Sequence, residues 1–463
     1  MKTLKYLLLA ILPLFFFISC ENDDGDNPGF ADDEVPRIYI DWQEYMTRNV
    51  GDVITFSPQV SPSDGASYKW TLDDKVISTE KDLSYTITEK MIGVLKFTVT
   101  RKDTCNSRTT NVLVPKDFVP KTYNKKSVAF LTGNGSIGAV DWENITHLIV
   151  SSAVVNADGS LNMSNISGLN LGTLITYAHH YGVFIILEVS GALNSYMNAA
   201  PVYGSYTFYN NAVGGNYQTL ANSIVEQAKE YGFDGVNVYM DKANTDNGQF
   251  ADAAKLREFY AYLANQMKAG KNNLSGNDYD YIMSMSVVAG WTRGSLYTAT
   301  SLTTYDWINV LAFAIEDLDA VPHASQWAAE NEIAQWMTTW IGPITADRLV
   351  LGVPAFGLRY TGIPNDYTWA NLGNYTQYIP YRSIVSQYAD APTKNQIVLI
   401  DNGGDKSKAV DKIFYDSPLA IKDKAAFAIS KDLAGMALWS IENDVKEPAS
   451  ASLIKQMNSS LGN

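Results

Sequence analysis

From residue 121 onward, short apolar segments alternate with longer amphipathic ones, and this alternation limits the fold more than any other feature of the sequence. Strands that alternate with helices form parallel sheets whose faces are covered by those helices. Residues 217–231 and 254–267 have apolar residues at helical spacing, and Gly232 and Gly270 follow them as stop signals. The strand candidates are residues 127–131, 147–154, 183–189, 236–240, 281–287, 307–313, 348–353 and 435–441. Eight such strands predict an α/β fold, a (β/α)8 TIM barrel over residues 121–463.

The residues before the barrel have a different pattern. Residues 36–116 are a series of short β-type runs punctuated by Gly, Pro, Asp and Ser, which predicts a small all-β sandwich. The run 68–72 resembles the central Trp strand of immunoglobulin-like and PKD-like modules. One inward Trp can organise such a sandwich, so we expect Trp70 in the core and interpret the module as a spacer, although a glycan-binding role stays open.

Residues 231–241 connect a predicted helix to the fourth barrel strand. Side chains alternate between the two faces of a strand, so Asn237, Tyr239 and Asp241 share one face. Val236, Val238 and Met240 share the other. In a parallel barrel the apolar set packs under helices, so we expect the first set to point into the barrel.

This stretch resembles the signature of glycoside hydrolase family 18, the chitinases and endo-β-N-acetylglucosaminidases. The signature is Asp-Gly-x-Asp-x-Asp-x-Glu, and Asp234 matches its first residue. The resemblance continues over the predicted barrel. Residues 146–159 resemble the second strand of the family, residues 349–357 the seventh, and residues 414–444 the last helix and the eighth strand. The resemblance implies that Trp439 is the aromatic residue that forms the floor of the sugar pocket.

The resemblance also implies a mechanism from which this chain departs. In the family the terminal Glu is the general acid, and the acetamido oxygen of the substrate attacks the sugar carbon. Here Asn237, Tyr239 and Asp241 replace the second Asp, the third Asp and the Glu. A phenol with a pKa near ~10 carries no charge at neutral pH, and a misplacement of about 1 Å can cost about a hundredfold in rate. Both chemical roles are therefore expected to be impaired.

Two other strands depart from the family pattern. The Met-x-Tyr-Asp of the sixth strand is residues 311–314 here, with Phe313 and Ala314 in place of the Tyr and Asp that hold the acetamido group. The Ser-x-Gly-Gly of the third strand is residues 188–191, beginning with Glu188. Glu188 is either a relocated acid that works with Asp241 or a binding or structural carboxylate paired with an Arg, a Lys or a backbone donor. The second interpretation is favoured because inward charges are normally paired.

Two tryptophans on predicted loops, Trp291 and Trp142, have two equal interpretations. Each could stack on a sugar face, and each could cover core. The sequence does not choose between these roles.

The first residues predict export. A basic start, an apolar run over residues 6–18 and Ser19 before Cys20 are typical of a signal peptide, residues 1–19, and resemble the lipobox of bacterial lipoproteins. The resemblance implies lipidation at Cys20 and a lipid anchor in the membrane. Residues 20–35 then form an acidic flexible linker that resembles the surface-export tether of Bacteroidetes lipoproteins, or an ordinary solvated spacer.

Composition excludes several classes of site. The net charge of -14 argues against binding to nucleic acid, which needs clustered Lys and Arg. Two Cys and four His make a disulfide framework or a metal site improbable, so we expect no cofactor and no metal, in a monomer.

Two hypotheses about function remain. The favoured one is a surface-anchored protein of the outer membrane, on the cell surface, that binds N-acetylglucosamine-containing glycans and no longer hydrolyses them. The alternative is a weak or altered glycosidase with Asp241 as its acid. The scaffold motifs are kept while groups on three strands are changed, as expected when catalysis is lost on a retained fold.

Overall fold

The computed structural model describes residues 34–190, 203–215, 217–239, 253–288, 302–313, 324–338, 344–364, 376–400 and 409–463. Residues 1–33, which contain the predicted signal peptide and all but the last two residues of the predicted acidic linker, therefore lie outside the described residues. Within the described residues, no helix combines the length and the apolar character that crossing a membrane requires.

The amino-terminal part is all β. Its strands are Arg37–Tyr39, Tyr45–Thr47, Val53–Phe56, Gln59–Ser61, Ala66–Leu72, Lys75–Ser78, Leu83–Thr86, Met91–Arg101 and Thr104–Val114. Trp70 lies in the middle of this module with no exposed surface, and its ring packs on Phe97 at a centroid distance of 4.4 Å. Its indole nitrogen donates to the carbonyl oxygen of Glu80 at 3.1 Å. Trp70 is therefore a core residue, as the sequence predicted.

Eight parallel strands then close into the predicted barrel. The first strand pairs with the second and with the eighth, which closes the sheet. The barrel strands are, in order, Lys126–Thr132, His147–Val155, Phe184–Ser190, Gly235–Tyr239, Ile282–Val288, Trp307–Leu311, Leu349–Pro354 and Gly435–Trp439. Each of the eight predicted strands is present, with ends that differ from the predicted ones by at most two residues.

Helices cover the outside of the barrel. They are Leu171–His180, Tyr203–Val213, Tyr217–Tyr231, Ala253–Lys268, Gln326–Thr338, Pro418–Ser430 and Leu453–Ser460. In Tyr217–Tyr231 the buried residues recur at helical spacing, from Leu220 to Ala228. Gly232 ends this helix with a φ of 85°, a left-handed conformation that glycine adopts without the steric cost of a side chain.

An antiparallel sheet is inserted between the seventh and eighth barrel strands. In spatial order its strands are Gln377–Pro380, Phe356–Ile363, Val410–Tyr415 and Gln396–Ile400. The helix Tyr381–Gln387 directly follows the strand Gln377–Pro380 in the chain. A smaller hairpin, Lys271–Leu274 with Asn277–Asp280, precedes the fifth barrel strand. Phe356, Leu358 and Phe414 of the inserted sheet belong to the same apolar cluster as residues inside the barrel.

Side chains on the barrel strands alternate between two cores. Val236 and Val238 belong to the core between the barrel and its helices, whereas Tyr239 belongs to the core inside the barrel. The alternation predicted for the fourth strand is confirmed over these residues. Met240 and Asp241 lie outside the described residues.

Gly235, the first residue of the fourth strand, lies close against the main chain of the fifth strand. A Cβ atom there would lie 2.3 Å from the main-chain oxygen of Ile282, with which it is in register. We expect Gly235→Ala to lower the free energy of unfolding by about 1–3 kcal/mol, because the fifth strand would have to move. Gly172→Ala is the matched control, since no atom lies within 4 Å of its added Cβ. Urea unfolding of both variants checks this, and equal stabilities would contradict it.

Candidate functional site

The interior of the barrel contains a hydrogen-bonded polar layer centred on Asn237. Its amide nitrogen donates to Glu188 Oε2 at 2.7 Å and to Ser286 Oγ at 2.9 Å. Its amide oxygen accepts from Ser284 Oγ at 2.8 Å and from Asn309 Nδ2 at 3.2 Å. A carboxamide has two donor hydrogens and one acceptor oxygen with two lone pairs. The four bonds therefore use the whole hydrogen-bonding capacity of Asn237.

Glu188 is the carboxyl group of this layer. It lies on the third strand in register with Asn237, has no exposed surface, and accepts from Ser151 Oγ at 2.6 Å. Burial raises the pKa of Glu188 to about 7, against the two hydrogen bonds that lower it. Its partners are a hydroxyl and an amide, not the Arg, Lys or backbone donor considered from the sequence. At neutral pH this carboxyl group is thus poised between its protonated and ionised forms.

Tyr239 occupies the next inward position above Asn237. Its exposed fraction is 2%, and it pairs in register with Ser190 on one side and Ser286 on the other. It belongs to the apolar cluster inside the barrel. At this position the family motif has an aspartate, whereas a phenol has an ordinary pKa of about 10.

Trp439 and Phe313 lie near the carboxyl-terminal ends of their strands, the end at which barrel enzymes bind substrates. Trp439 ends the eighth strand, keeps 9% of its surface exposed, and packs on Phe130 of the first strand at 4.8 Å. Phe313 follows the sixth strand and meets Phe356 edge to face at 5.5 Å. Tyr378 also packs on Phe356, with a centroid distance of 4.6 Å. We call these five aromatic side chains the aromatic mouth.

Asp234 lies at the opposite end of the barrel. It precedes the fourth strand, has 1% of its surface exposed, and accepts from the main-chain nitrogen of Ile185 and from Asn272 Nδ2, both at 2.8 Å. Its other contact is with His179 Nε2 at 3.0 Å. The motif grouped Asp234 with Asn237 and Tyr239 as catalytic residues, but the structure does not bring it to the aromatic mouth. It joins the start of the third strand, the last turn of the helix Leu171–His180 and the hairpin strand Lys271–Leu274. The fourth strand separates it from the residues of the motif that follow.

Trp142 is buried, at 7% exposure, and its ring stacks on Tyr181 at 6.1 Å. Of its two equal interpretations, the structure therefore supports a core residue. Trp291, Asp241 and Cys20 lie outside the described residues.

Sequence reasoning missed several polar residues of this region. Ser151, Ser284, Ser286 and Asn309 complete the layer around Asn237. Strand alternation placed them inward, yet no motif marked them. Glu442 was also missed; it is 5% exposed and follows Trp439 closely. Its signal was an acidic residue immediately after a predicted barrel strand, the usual place for functional side chains in this fold.

Comparison with known proteins identifies the family. The model of glycosyl hydrolases family 18 matches residues 122–444. The chain belongs to this family. A PKD-like domain model matches residues 36–99.

Individual relatives have low sequence identity to this chain but match most of its length. Chitinase 1 of Aphanocladium album is 22% identical over 363 residues, which cover 69% of this chain and 79% of the relative. Among solved structures, the chitinase-like agglutinin of Robinia pseudoacacia has a TM-score of 0.53 at 18% identity, covering 73% of this chain and 99% of that one. A mutant class V chitinase from Nicotiana tobaccum in complex with NAG4 has a TM-score of 0.56 at 16% identity, covering 75% and 99%. These structures share the fold with this chain.

In the family motif, the two inward Asp positions of the fourth strand are Asn237 and Tyr239 here. Neither side chain ionises at neutral pH. Among the described inward positions of the eight strands, the one carboxyl group is that of Glu188, on the neighbouring strand. At these two motif positions the fourth strand therefore offers a carboxamide and a phenol in place of carboxylates.

The pKa of Glu188 makes stability depend on pH. The folded pKa, about 7, lies above the ordinary value of 4.5, so the stability that Glu188 contributes is complete below pH 4.5 and is lost as the pH rises through 7. Glu188→Gln keeps the size and neutrality of the protonated form. We expect the stability of the wild type relative to Glu188→Gln to fall by about 3 kcal/mol between pH 4.5 and pH 8. Urea unfolding of both proteins across this range measures it, and a pH-independent difference would contradict it.

Proposed function

We propose that this chain is a cell-surface protein that binds N-acetylglucosamine-containing glycans through its family 18 barrel and has little or no hydrolytic activity. Membership of the family supports a glycan-binding or hydrolase role. The observation that favours binding is which side chains occupy the two inward motif positions and how they are hydrogen-bonded. Asn237 has no hydrogen-bonding group left for a ligand, and Tyr239 offers a neutral phenol.

The chemical step of the family needs charge where this chain has none. The attacking acetamido oxygen develops positive charge on the ring it forms, and a nearby carboxylate stabilises that charge. Tyr239 cannot supply it. Phe313, packed edge to face on Phe356, presents a hydrocarbon ring where the family motif has a hydroxyl. The interactions that serve the transition state are thus reduced more than those that serve ground-state binding.

The aromatic mouth retains what sugar binding requires. An indole or phenyl ring covers the apolar face of a pyranose, and buried aromatic anchors commonly dominate recognition. With 9% of its surface exposed, Trp439 can offer a sugar the part of its indole that faces the mouth. The similarity in fold to a chitinase-like agglutinin and to a chitinase in complex with NAG4 supports a chitin-type oligosaccharide as the first ligand to test.

A second candidate, a weak or altered glycosidase, has one observation in its favour. Glu188 has a pKa near 7 and could give up a proton at neutral pH. Its carboxyl group, however, has no exposed surface and is bonded to Ser151 and Asn237. In this candidate Asp241 would be the acid, and Glu188 would be a second carboxyl group that works with it.

Labelled chitooligosaccharides and N-glycans, scored for both retention and cleavage, test the proposed function. We expect retention without turnover above background, and Asp241→Glu should not restore turnover. Trp439→Ala should weaken binding at least tenfold, a loss of about 1.4 kcal/mol, because it removes the ring that faces the sugar. Calorimetric titration measures the affinities, and the thermal midpoint shows whether the variant is folded.

Asp241→Asn is the matched control for Trp439→Ala. It keeps the size and hydrogen-bonding capacity of the side chain, so in a protein that only binds it should cost less affinity. Cleavage by the wild type that Asp241→Asn abolishes would decide for the glycosidase. Unchanged affinity in folded Trp439→Ala would place any glycan site elsewhere.

The proposed location depends on Cys20. If this residue carries lipid, the mature protein partitions with membranes, and Cys20→Ser leaves it soluble or uncleaved because the acyl site is missing. One acyl chain anchors only marginally, so stable attachment requires the multiple acylation of bacterial lipoproteins. Fractionation of cells that express each form measures this. Recovery of the wild type entirely in the soluble fraction would reject the anchor.

A further inference from the structure

The segment that leaves the eighth strand after Trp439 is fixed by a carboxylate that the family motif does not include. Glu442 lies in the turn Ile441–Asn443 and is 5% exposed. Its Oε1 atom accepts from Ser440 Oγ at 2.7 Å and from Thr132 Oγ1 at 2.5 Å. Its Oε2 atom faces the main-chain nitrogen of Thr132 at 3.4 Å. Every one of these donors belongs to Ser440 or Thr132.

Thr132 is the last residue of the first barrel strand, so the Glu442 carboxylate joins the carboxyl-terminal ends of the first and eighth strands. The turn after the first strand packs against the same side chain. A Cβ atom at Gly135 would lie 3.0 Å from Glu442 Cβ and 2.5 Å from a methyl group of Leu131. The space around Glu442 is therefore filled on that side, and its side chain has little freedom to move.

The inserted sheet and its helix hold the same segment from the other side. Asn443 Nδ2 donates to Tyr378 Oη at 2.9 Å and to Ser440 Oγ at 3.0 Å. Arg382 donates to the main-chain oxygen of Glu442. This guanidinium therefore contacts the main chain of the segment. Within the described part of the chain, the Glu442 carboxylate is in no ion pair, and hydroxyl and main-chain donors hold it.

We propose that Glu442 is a positioning residue for Trp439, which fixes the direction in which the indole faces the barrel mouth. A main chain held at residues 440–443 leaves Trp439 few orientations, because its own carbonyl is also bonded to the main-chain nitrogen of Ala355 at 2.6 Å. The packing of the indole on Phe130 then depends on the hydrogen bonds by which Glu442 links the ends of the first and eighth strands. Ligand contact is the role of Trp439, and Glu442 acts through it.

The hydrogen-bond donors around Glu442 explain why a carboxylate is needed at this link between the two strands. Ser440 and Thr132 together present two hydroxyl donors and one main-chain donor, all aimed at an acceptor-only group. In Glu442→Gln the amide nitrogen is a donor, so one of these groups loses its acceptor. A buried donor without an acceptor costs about 1–3 kcal/mol. The least costly way to give that donor a new acceptor is a movement of residues 440–443, and this movement carries Trp439 with it.

The orientation of Trp439 can be followed without any ligand. The chain has ten tryptophans, so protein labelled with 5-fluorotryptophan gives separable fluorine resonances, and the one lost in Trp439→Phe is that of Trp439. We expect this resonance to shift or broaden in Glu442→Gln and in Thr132→Val, with the other resonances largely unchanged. The control is Asp306→Asn, a carboxylate at the amino-terminal end of the sixth strand that accepts from the main-chain nitrogen of Met283 at 2.8 Å. It should leave the Trp439 resonance unchanged.

The affinity arm rests on the proposed function and uses chitotetraose. Glu442→Gln should weaken binding about tenfold in the wild type, or ~1.4 kcal/mol, and should have no further effect in Trp439→Ala. An effect that persists in Trp439→Ala would overturn a role through Trp439. So would an unchanged Trp439 resonance in folded Glu442→Gln and Thr132→Val. If the wild type binds no glycan, the proposed function fails on that arm, while the fluorine resonances still decide whether Glu442 positions Trp439.

Discussion

A polar side chain that points into a closed barrel must find its hydrogen-bond partners among the other inward side chains, because the strand main chains are already paired with each other. Asn237 meets this demand with bonds to side chains on the third, fifth and sixth strands. The layer begins at Ser151 on the second strand and ends at Trp307 on the sixth, whose indole donates to Asn309 Oδ1 at 3.0 Å. The side of the interior formed by the seventh, eighth and first strands is apolar, with Val350, Ala437 and Val128 facing inward. The division places the polar layer on one side and the Trp439 ring on the other.

At each end of the barrel a buried carboxylate joins neighbouring elements by hydrogen bonds, and the two carboxylates have different partners. At the amino-terminal end, Asp234 accepts from a main-chain nitrogen, an amide and a histidine on three separate elements. At the carboxyl-terminal end, Glu442 accepts from the ends of two adjacent strands. Both groups are buried and bonded, and both therefore stabilise connections that the strand ladder alone leaves open. Only the second lies beside the aromatic mouth, which is why it can influence binding.

The sequence predicted the barrel strands and the inward direction of Asn237, Tyr239 and Glu188, because a period of two leaves only one choice once the outer face is known. It did not predict which side chains would bond to each other, since register between strands depends on the closed barrel and not on any one segment. The partners of Glu188 therefore could not be named.

The relation between Glu188 and Asn237 explains how the interior tolerates its altered motif. The atoms that join them are 2.7 Å apart, and two carboxyl groups at that separation could not both ionise. A glutamate on the third strand is therefore compatible with an amide on the fourth, and an aspartate at 237 would require a shared proton. With the amide present, one buried carboxyl group remains in the layer, and its hydrogen bonds with Ser151 and Asn237 offset part of the cost of its burial. The barrel thus keeps a satisfied polar layer whose carboxyl group lies on the third strand, while the described inward positions of its fourth strand carry no carboxyl group.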